Sequence, residues 1–407
     1  MVASVRHVVT NMSGAQAVTS LIYSCREAEQ AGQPLHLVLS DTRAIYPNGA
    51  VPMAATLQYF KRRGLTITTS DVGEQVARTD FLNPRRVSTR ELQRPNIKNI
   101  IWRYADEKQA TDLCNAFIDQ LEENVECGPG VLDALNWCLF EVMDNVFQHS
   151  HAEVGYAMLQ IHFNSKLCAV AVSDDGIGIY QSFREAGVYR ADDEYDAIKL
   201  AIQEKVTSKA KNMGNGLYGL MRVVGLNGGE MEIRSGRGRL TFKQDKLDGE
   251  YTQSRPVLDP DGHRGTTVDW QLDVSKPVSL SQALGAKQPN IRLEALEDSE
   301  GEHRVHVSMF EEGLGSRHSA EQVKIKLLNL LNEGVPRLVL DFEGINVVSS
   351  SFADEVLGKL ALQMGIVQFI NRFRLDNMSE TVEVIVNRAI QQRIAEGDSS
   401  HPGSSRR

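Results

Sequence analysis

Glu141 and Asn145, in the run Glu141-Val-Met-Asp-Asn145-Val-Phe-Gln-His149, stand four residues apart, so a helix would set a carboxylate and a carboxamide on one face above an apolar opposite face. The carboxylate could orient an attacking hydroxyl or water, and the amide oxygen could ligate Mg²⁺ without adding a negative charge beside phosphates. Alone, an ExxxN pair is also what any solvated helix face presents. A second run, Ser173-Asp174-Asp175-Gly176-Ile177-Gly178-Ile179, follows a strand of buried character, and its glycines let the backbone turn tightly and approach a ligand. A third, Gly214-Asn215-Gly216-Leu217-Tyr218-Gly219-Leu220, opens a helical run to Leu226. Its backbone N–H groups and helix dipole could receive phosphate oxygens, or it could be a flexible loop.

In this order the runs resemble the GHKL ATP-binding fold of histidine kinases, MutL-type repair proteins, type II topoisomerases and anti-sigma-factor serine kinases. Glu141 and Asn145 match its first box, Asp174 to Gly178 its DxGxG box, Gly214 to Leu220 its GxGLxGL box, and Gly265 with Thr266 its final GT box. The resemblance covers about residues 100 to 275 and implies a Bergerat-type pocket that holds ATP under a mobile lid. It makes Asp174 the acceptor for the adenine amino group, Asn145 the Mg²⁺ ligand and Glu141 the general base. Gly176 and Gly178 would let adenine sit close to the chain, and Gly214, Gly216, Leu217 and Gly219 would wrap the triphosphate, with Thr266 completing the ATP-binding set. Thr207, Ser208 and Lys209 stand where relatives carry a lid segment, so Lys209 is a candidate phosphate contact or a solvated lysine. No dimerising helix with a phosphorylatable His precedes the ATP domain, which sets the chain apart from sensor histidine kinases. His149 and His151 read as a helix end rather than a metal site.

Hydroxyl chemistry recurs near the C-terminus, where a strand from Arg337 to Phe342 leads through a turn to Ser349-Ser350-Ser351-Phe-Ala-Asp354-Glu355. Hydroxyls there serve as helix caps in the ordinary case. The pattern also resembles STAS-like domains, relatives of anti-anti-sigma factors, over about residues 290 to 395. By that resemblance Ser350 is the phosphoacceptor, although Ser349 and Phe352 replace the Asp before and the Gly after the usual serine pair. The first piece loosely resembles the same βαβ unit, with Leu35 to Ser40 and Pro47 to Gly64 in corresponding places and no serine turn.

The elements that must carry these residues are those of an α/β protein in three pieces. Residues 1–98 read as a small α/β N-terminal domain: a strand from Val5, a helix from Ala15 to Ala31, a strand from Leu35 to Leu39, an amphipathic helix from Met53 to Arg63, and a strand from Leu65. The polar stretch from Asp71 to Asn96 shows no period and reads as a connector. Residues 99–275 order as a central two-layer α/β sandwich of the GHKL ATPase type, with helices Glu107 to Glu123 and Val131 to His149 and strands Gly155 to Phe163, Leu167 to Val172, Glu230 to Ser235 and Thr266 to Leu272. After a linker from Val274 to Asn290 comes the STAS-like α/β domain, 290–396, with strand-like Arg304 to Phe310 and helices Ala320 to Glu333 and Phe352 to Met364. The tail 397–407 is expected to be disordered.

Composition bounds the function. The 407 residues are 42% apolar and 24% charged, with 44 basic against 53 acidic residues and a net charge of −9, the profile of ordinary globular domains and not of a nucleic-acid binder. No apolar run approaches the ~20 residues of a membrane helix. The N-terminus lacks the pattern of a signal peptide. Five scattered cysteines, none spaced as CxxC, point to neither disulfides nor zinc, so a cytoplasmic protein is expected.

Together the two resemblances imply a regulatory switch. Mg-ATP would order the lid and change how the STAS-like domain docks, with the linker raising their effective concentration; loss of the γ-phosphate to Ser350, to another protein or to water would reset it. Glu141 serves each outcome, because orienting a serine hydroxyl and orienting water are the same task. Enzymatic turnover, as ATPase or serine kinase, is the leading reading. The alternative is a nonhydrolysing, nucleotide-dependent adaptor, anti-sigma-like, for a sigma factor or another regulator; the intact Glu141 weighs against it. A protein partner fits both, as does a homodimer. A topoisomerase- or MutL-like machine would call for a transducer domain and a basic DNA path, and neither is apparent.

Overall fold

The computed structural model describes residues 3–70, 72–187, 189–204, 206, 216–260, 262–285, 296, 302–313 and 317–399. The chain forms two compact units, Met1–Gln120 with Ala134–Ala286, and Leu121–Asp133 with Lys287–Arg407.

The first unit opens with β1 (Val5–Val8), β2 (Asn11–Met12), α1 (Gly14–Ala31), β3 (Leu35–Val38), β4 (Ala44–Ile45), α2 (Pro47–Arg62) and β5 (Ile67–Ser70). Strands β1, β3 and β5 pair in parallel in that order, and β2 pairs with β4. Gly32, at φ 62°, ends α1 in the left-handed cap that favours glycine. Helix α2 begins at Pro47, whose missing N–H costs nothing at that position, and not at Met53 as the amphipathic pattern suggests. Nearly every residue from Pro47 to Phe60 is buried. A helix covered on all sides has no polar stripe, so its first turns carry no periodic signal.

The polar connector holds short helices α3 (Glu74–Ala77) and α4 (Thr89–Leu92) around β6 (Arg85–Arg86). Pairing with β7 (Trp102–Tyr104) makes β6 the edge of the main sheet. There follow α5 (Glu107–Asn124), α6 (Val131–His149), β8 (Gly155–His162), β9 (Leu167–Asp174), α7 (Gly178–Ala186), α8 (Glu194–Ala201), α9 (Gly216–Asn227), β10 (Glu230–Ser235), β11 (Gly238–Lys243), β12 (Lys246–Tyr251), β13 (Thr266–Asp273) and α10 (Leu280–Leu284). The sheet runs β12-β11-β10-β13-β9-β8-β7-β6, antiparallel except at β6 and β7.

Strand alternation assigns the two faces of this sheet. Tyr156, Met158 and Ala171 join the core of the N-terminal segment, and Arg62 on α2 reaches the Tyr156 hydroxyl. On the other face Tyr104 stacks edge-on against Phe147 of α6. The sheet is therefore covered on both sides, one layer more than the two-layer sandwich expected from sequence. Residues 1–98 belong to the same compact unit as the central segment. The middle of the expected linker is α10, whose Leu284 lies against Gly219 of α9.

The second unit contains β14 (His303–His306), a 3₁₀ stretch at Val307–Gly313, a helix Arg317–Asn332, β15 (Leu338–Asp341), a helical run through Ser350–Ala353, Asp354–Gly358 and Lys359–Met364, a helix Ile366–Arg372, β16 (Phe373–Asp376) and a helix Glu380–Ser399. The strands pair in parallel in the order β14-β15-β16. Strand β14 stops at His306, earlier than the expected Phe310. The final helix reaches Ser399, into the stretch expected to be a disordered tail. Asp354–Gly358 is a π turn, where Gly358 packs so closely on the final helix that a Cβ would stand 3.1 Å from the Ala389 carbonyl oxygen. Buried Asn329 donates to the carbonyls of Glu122 and Val125 and accepts from the Cys127 N–H at 2.7 Å.

Candidate nucleotide site and serine turn

Helix α6 spans Val131–His149, as its sequence pattern predicts, and its last turns carry Glu141 and Asn145. Gly216, the first residue of α9, lies against both: a Cβ there would stand 2.9 Å from Glu141 Oε2 and 3.5 Å from Asn145 Nδ2. The glycine leaves that space open at a helix N-terminus, where backbone N–H groups lack intrahelical partners. Burial, and then the neighbouring Asp144 charge, raise the pKa of Glu141, so its carboxylate is a stronger base than an exposed one. A side chain at Gly219 would collide with Trp137 of α6, which fixes how closely the two helices pack. Leu217 is half-buried in the first turn of α9. Gly214 and Lys209, with Thr207 and Ser208, lie outside the described residues.

Asp174 ends β9 and is 7% exposed. Burial pushes its carboxyl up to about 7, although the N–H groups of Gly176 and Thr266, the Ser150 hydroxyl and the His263 charge all favour the ionised form. The Gly176 N–H donates to Asp174 Oδ1 at 2.8 Å, and the Ile177 N–H donates to the Ser150 carbonyl at 2.8 Å. A Cβ on Gly176 would run into Ser150, so only glycine fits. Gly178, at φ +80°, needs the left-handed region, and its Cβ position lies 2.9 Å from Arg264 Cβ and 3.0 Å from Ser235 Oγ. Thr266 pairs across the sheet with Asp174, and its hydroxyl meets Ser235 Oγ at 3.2 Å.

The C-terminal end of α6 thus organises both groups. Glu141 and Asn145 meet Gly216, while Ser150, one residue past the helix, anchors the Asp174–Gly178 loop and returns its hydroxyl to Val146 at 2.6 Å. Sequence reasoning passed over Ser150, although it lies between His149 and His151. It also passed over Asp175, which ion-pairs with Arg62 of α2, because a contact so distant in the chain leaves no local pattern. Among the described residues no cluster of three or more His, Cys, Asp or Glu is placed to hold a metal, and the five cysteines are buried and form no disulfide. No helix among them is long and apolar enough to cross a membrane.

In the second unit two of the three serines differ in role, while Ser351 is exposed like Ser350. Ser349 caps the helix, its hydroxyl accepting from the Phe352 N–H at 3.0 Å, whereas Ser350 is exposed on the first turn. Glu355, 2% exposed, fixes the following turn through Lys324 at 3.1 Å and Lys359 at 2.6 Å. Asp354 holds Arg393 of the last helix with both oxygens, at 2.6 and 2.7 Å. At the end of β15, burial works against ionising Asp341, but Asn377, the Glu343 N–H and Arg304 overcome it and hold the carboxyl below its ordinary value.

No curated protein matches the chain significantly. Among solved structures the chain is similar to the crystal structure of full-length ShkA in complex with AMPPNP, at 11% identity and a TM-score of 0.22, over 71% of this chain and 55% of that one. The chain thus spans about half the length of that protein. Residues 319–383 match the family model of a STAS-like domain of unknown function (DUF4325), a segment that holds β15, the serine turn and β16. The C-terminal part of this protein is a STAS-like domain.

Proposed function

We propose that residues 99–275 form a GHKL-type domain that binds Mg-ATP, and that the protein is a nucleotide-driven regulatory switch acting through its STAS-like domain at 290–396, as an ATPase or a serine kinase. The observation that carries this reading is the meeting of Gly216 with Glu141 and Asn145, which brings two distant sequence boxes together. Asp174 would accept from the adenine amino group, with Gly176 and Gly178 keeping the chain close to the base. The α9 N-terminus, from Gly216 through Leu217 and Gly219, would receive phosphate oxygens. Lys209, Gly214 and Thr266 are assigned to the same ligand. Asn145 suits Mg²⁺ because its amide oxygen is neutral, and the ion would offset phosphate charge. Glu141 would orient the attacking oxygen and take its proton, its raised pKa suiting that task. Ser350, exposed where Ser349 is committed as a cap, is the proposed acceptor if the phosphoryl group goes to protein.

The test is incubation of the full chain with γ-labelled ATP and Mg²⁺, following free phosphate and protein-bound label. Glu141→Ala is expected to lower turnover by roughly 10²-fold or more while leaving ATP affinity nearly unchanged. Label that disappears in Ser350→Ala makes the protein a serine kinase; free phosphate alone makes it an ATPase. ATP binding without either product would favour a nonhydrolysing adaptor for a protein partner, and failure to bind ATP would overturn the nucleotide assignment.

A further inference from the structure

On the face of the main sheet opposite the Asp174 carboxylate, a cavity of about 70 Å³ lies between α1, α2 and the ends of β9, β10 and β13. Val18, Ile22 and Leu258 form its apolar side, and Arg234, Arg255 and Arg264 its polar side. Three arginines line this one small space, and guanidinium charge brought together is costly unless anions answer it. Arg234, 9% exposed, has Glu232 at 3.0 Å and reaches the Asn48 carbonyl. Arg255 is held by the Arg237 carbonyl and by Glu250, both at 2.7 Å. Burial still lowers its pKa, with the nearby charges of Arg239 and Arg234 acting in the same direction against Glu250.

Arg264 completes the cluster without such an answer, since its Nη1 is buried and has no hydrogen-bond partner among the described residues. A buried guanidinium N–H left unpaired is rare in folded proteins and marks a place for an acceptor. Asp174 is the single acidic residue among those lining the cavity, and its carboxylate is engaged on the opposite face by the Gly176 N–H. The volume suits one oxyanion: it exceeds the ~30 Å³ share of a water molecule and falls well short of the ~300 Å³ of a drug-sized ligand pocket. We propose that this cavity binds a phosphate-sized oxyanion, the head group of a small metabolite, through Arg264 with Arg234 and Arg255. The cavity borders the proposed nucleotide site, since Asp174 and Thr266 belong to both, but it lies on the other face of the sheet and does not depend on that assignment. It touches the same loop from behind, because the Arg264 and Gly265 N–H groups donate to the Gly176 carbonyl at 2.8 and 2.9 Å.

Isothermal titration of the full chain with inorganic phosphate, and separately with acetate, at constant ionic strength tests the proposal. One equivalent of either anion should bind, at least ten-fold more weakly to Arg264→Gln and unchanged in Asn145→Ala; the tighter anion identifies the head group. Arg264 is half-buried and stands at the end of a loop, outside the hydrophobic core, so its replacement is expected to leave the core intact, which a thermal melt checks. Binding lost in Asn145→Ala but kept in Arg264→Gln would move the anion to the nucleotide site and overturn the proposal. Absence of binding by both anions up to about 10 mM, weaker than the millimolar affinities of the weakest specific ligands, would also overturn it.

Discussion

Among the described residues two three-stranded parallel sheets, β1-β3-β5 and β14-β15-β16, each with helical crossovers, are used in opposite ways. In the first, the helix after the middle strand is α2, buried almost throughout and lying on a second sheet. Its Arg62 holds Asp175 inside the Asp174–Gly178 loop, so this segment acts as a brace for the candidate site. In the second, the helix after the middle strand begins with the exposed Ser350, and Val367 and Ile370 on the next helix are 71% and 58% exposed. Internal ion pairs such as Lys324–Glu355 and Arg393–Asp354 fix it instead. One topology therefore serves as a buried support and as a platform that displays a hydroxyl, and what separates them is how much of the crossover helix is covered.

The largest expected difference is in packing. Phe60 on α2 is fully buried, so Phe60→Ala should cost about 3–5 kcal/mol in denaturant unfolding, through lost transfer energy and the cavity left behind. Val367→Ala, at an exposed helical position, should change stability by no more than ~0.5 kcal/mol. Similar losses in both variants would break the contrast between brace and platform.

Asp174→Asn sharpens the same contrast at the site the brace supports. It should weaken ATP binding by roughly 1.5–3 kcal/mol, the worth of a hydrogen bond to a charged group, measured by titration at pH 8. Stability should move the other way. With a native pKa of about 7 against an ordinary value of 3.8, the folded protein holds a proton that the unfolded chain releases. The wild type therefore loses stability as pH rises from about 4 to 7, and the loss is constant above that. The melting temperature of ligand-free Asp174→Asn relative to wild type should accordingly rise across that window and level off. A difference that shrinks with pH would show that Asp174 is not held protonated by burial.

How much of this was legible in the sequence depends on whether an element has one exposed face. Helix α6, with glycine and proline before it and an apolar face, and strand β10, with glycines on both sides, follow their sequence patterns residue for residue. Strands β11 and β12 passed unnoticed. Their hairpin turns at Gln244 and Asp245 with φ of 51° and 57°, where the sequence lacks the glycine that usually marks such a turn, and β12 is almost wholly exposed. Three-residue β7 is too short to show alternation. At the site, Glu141, Asn145, Asp174 and the glycines were legible as motifs, whereas Arg62, Ser150 and the arginine-lined cavity arise from contacts between distant segments.

The smallest effect separates two adjacent serines. Ser349 accepts the Phe352 N–H as an N-cap, so Ser349→Ala should cost about 1 kcal/mol and lower the melting temperature of the STAS-like unit. Ser350 is exposed one residue later, and Ser350→Ala should leave stability within ~0.5 kcal/mol of wild type while removing the proposed phosphoacceptor. Circular dichroism melts of the two variants, beside a phosphorylation assay, distinguish the roles. If Ser350→Ala proved the more destabilising, its hydroxyl would be part of the fold, and the platform would display nothing that the brace does not.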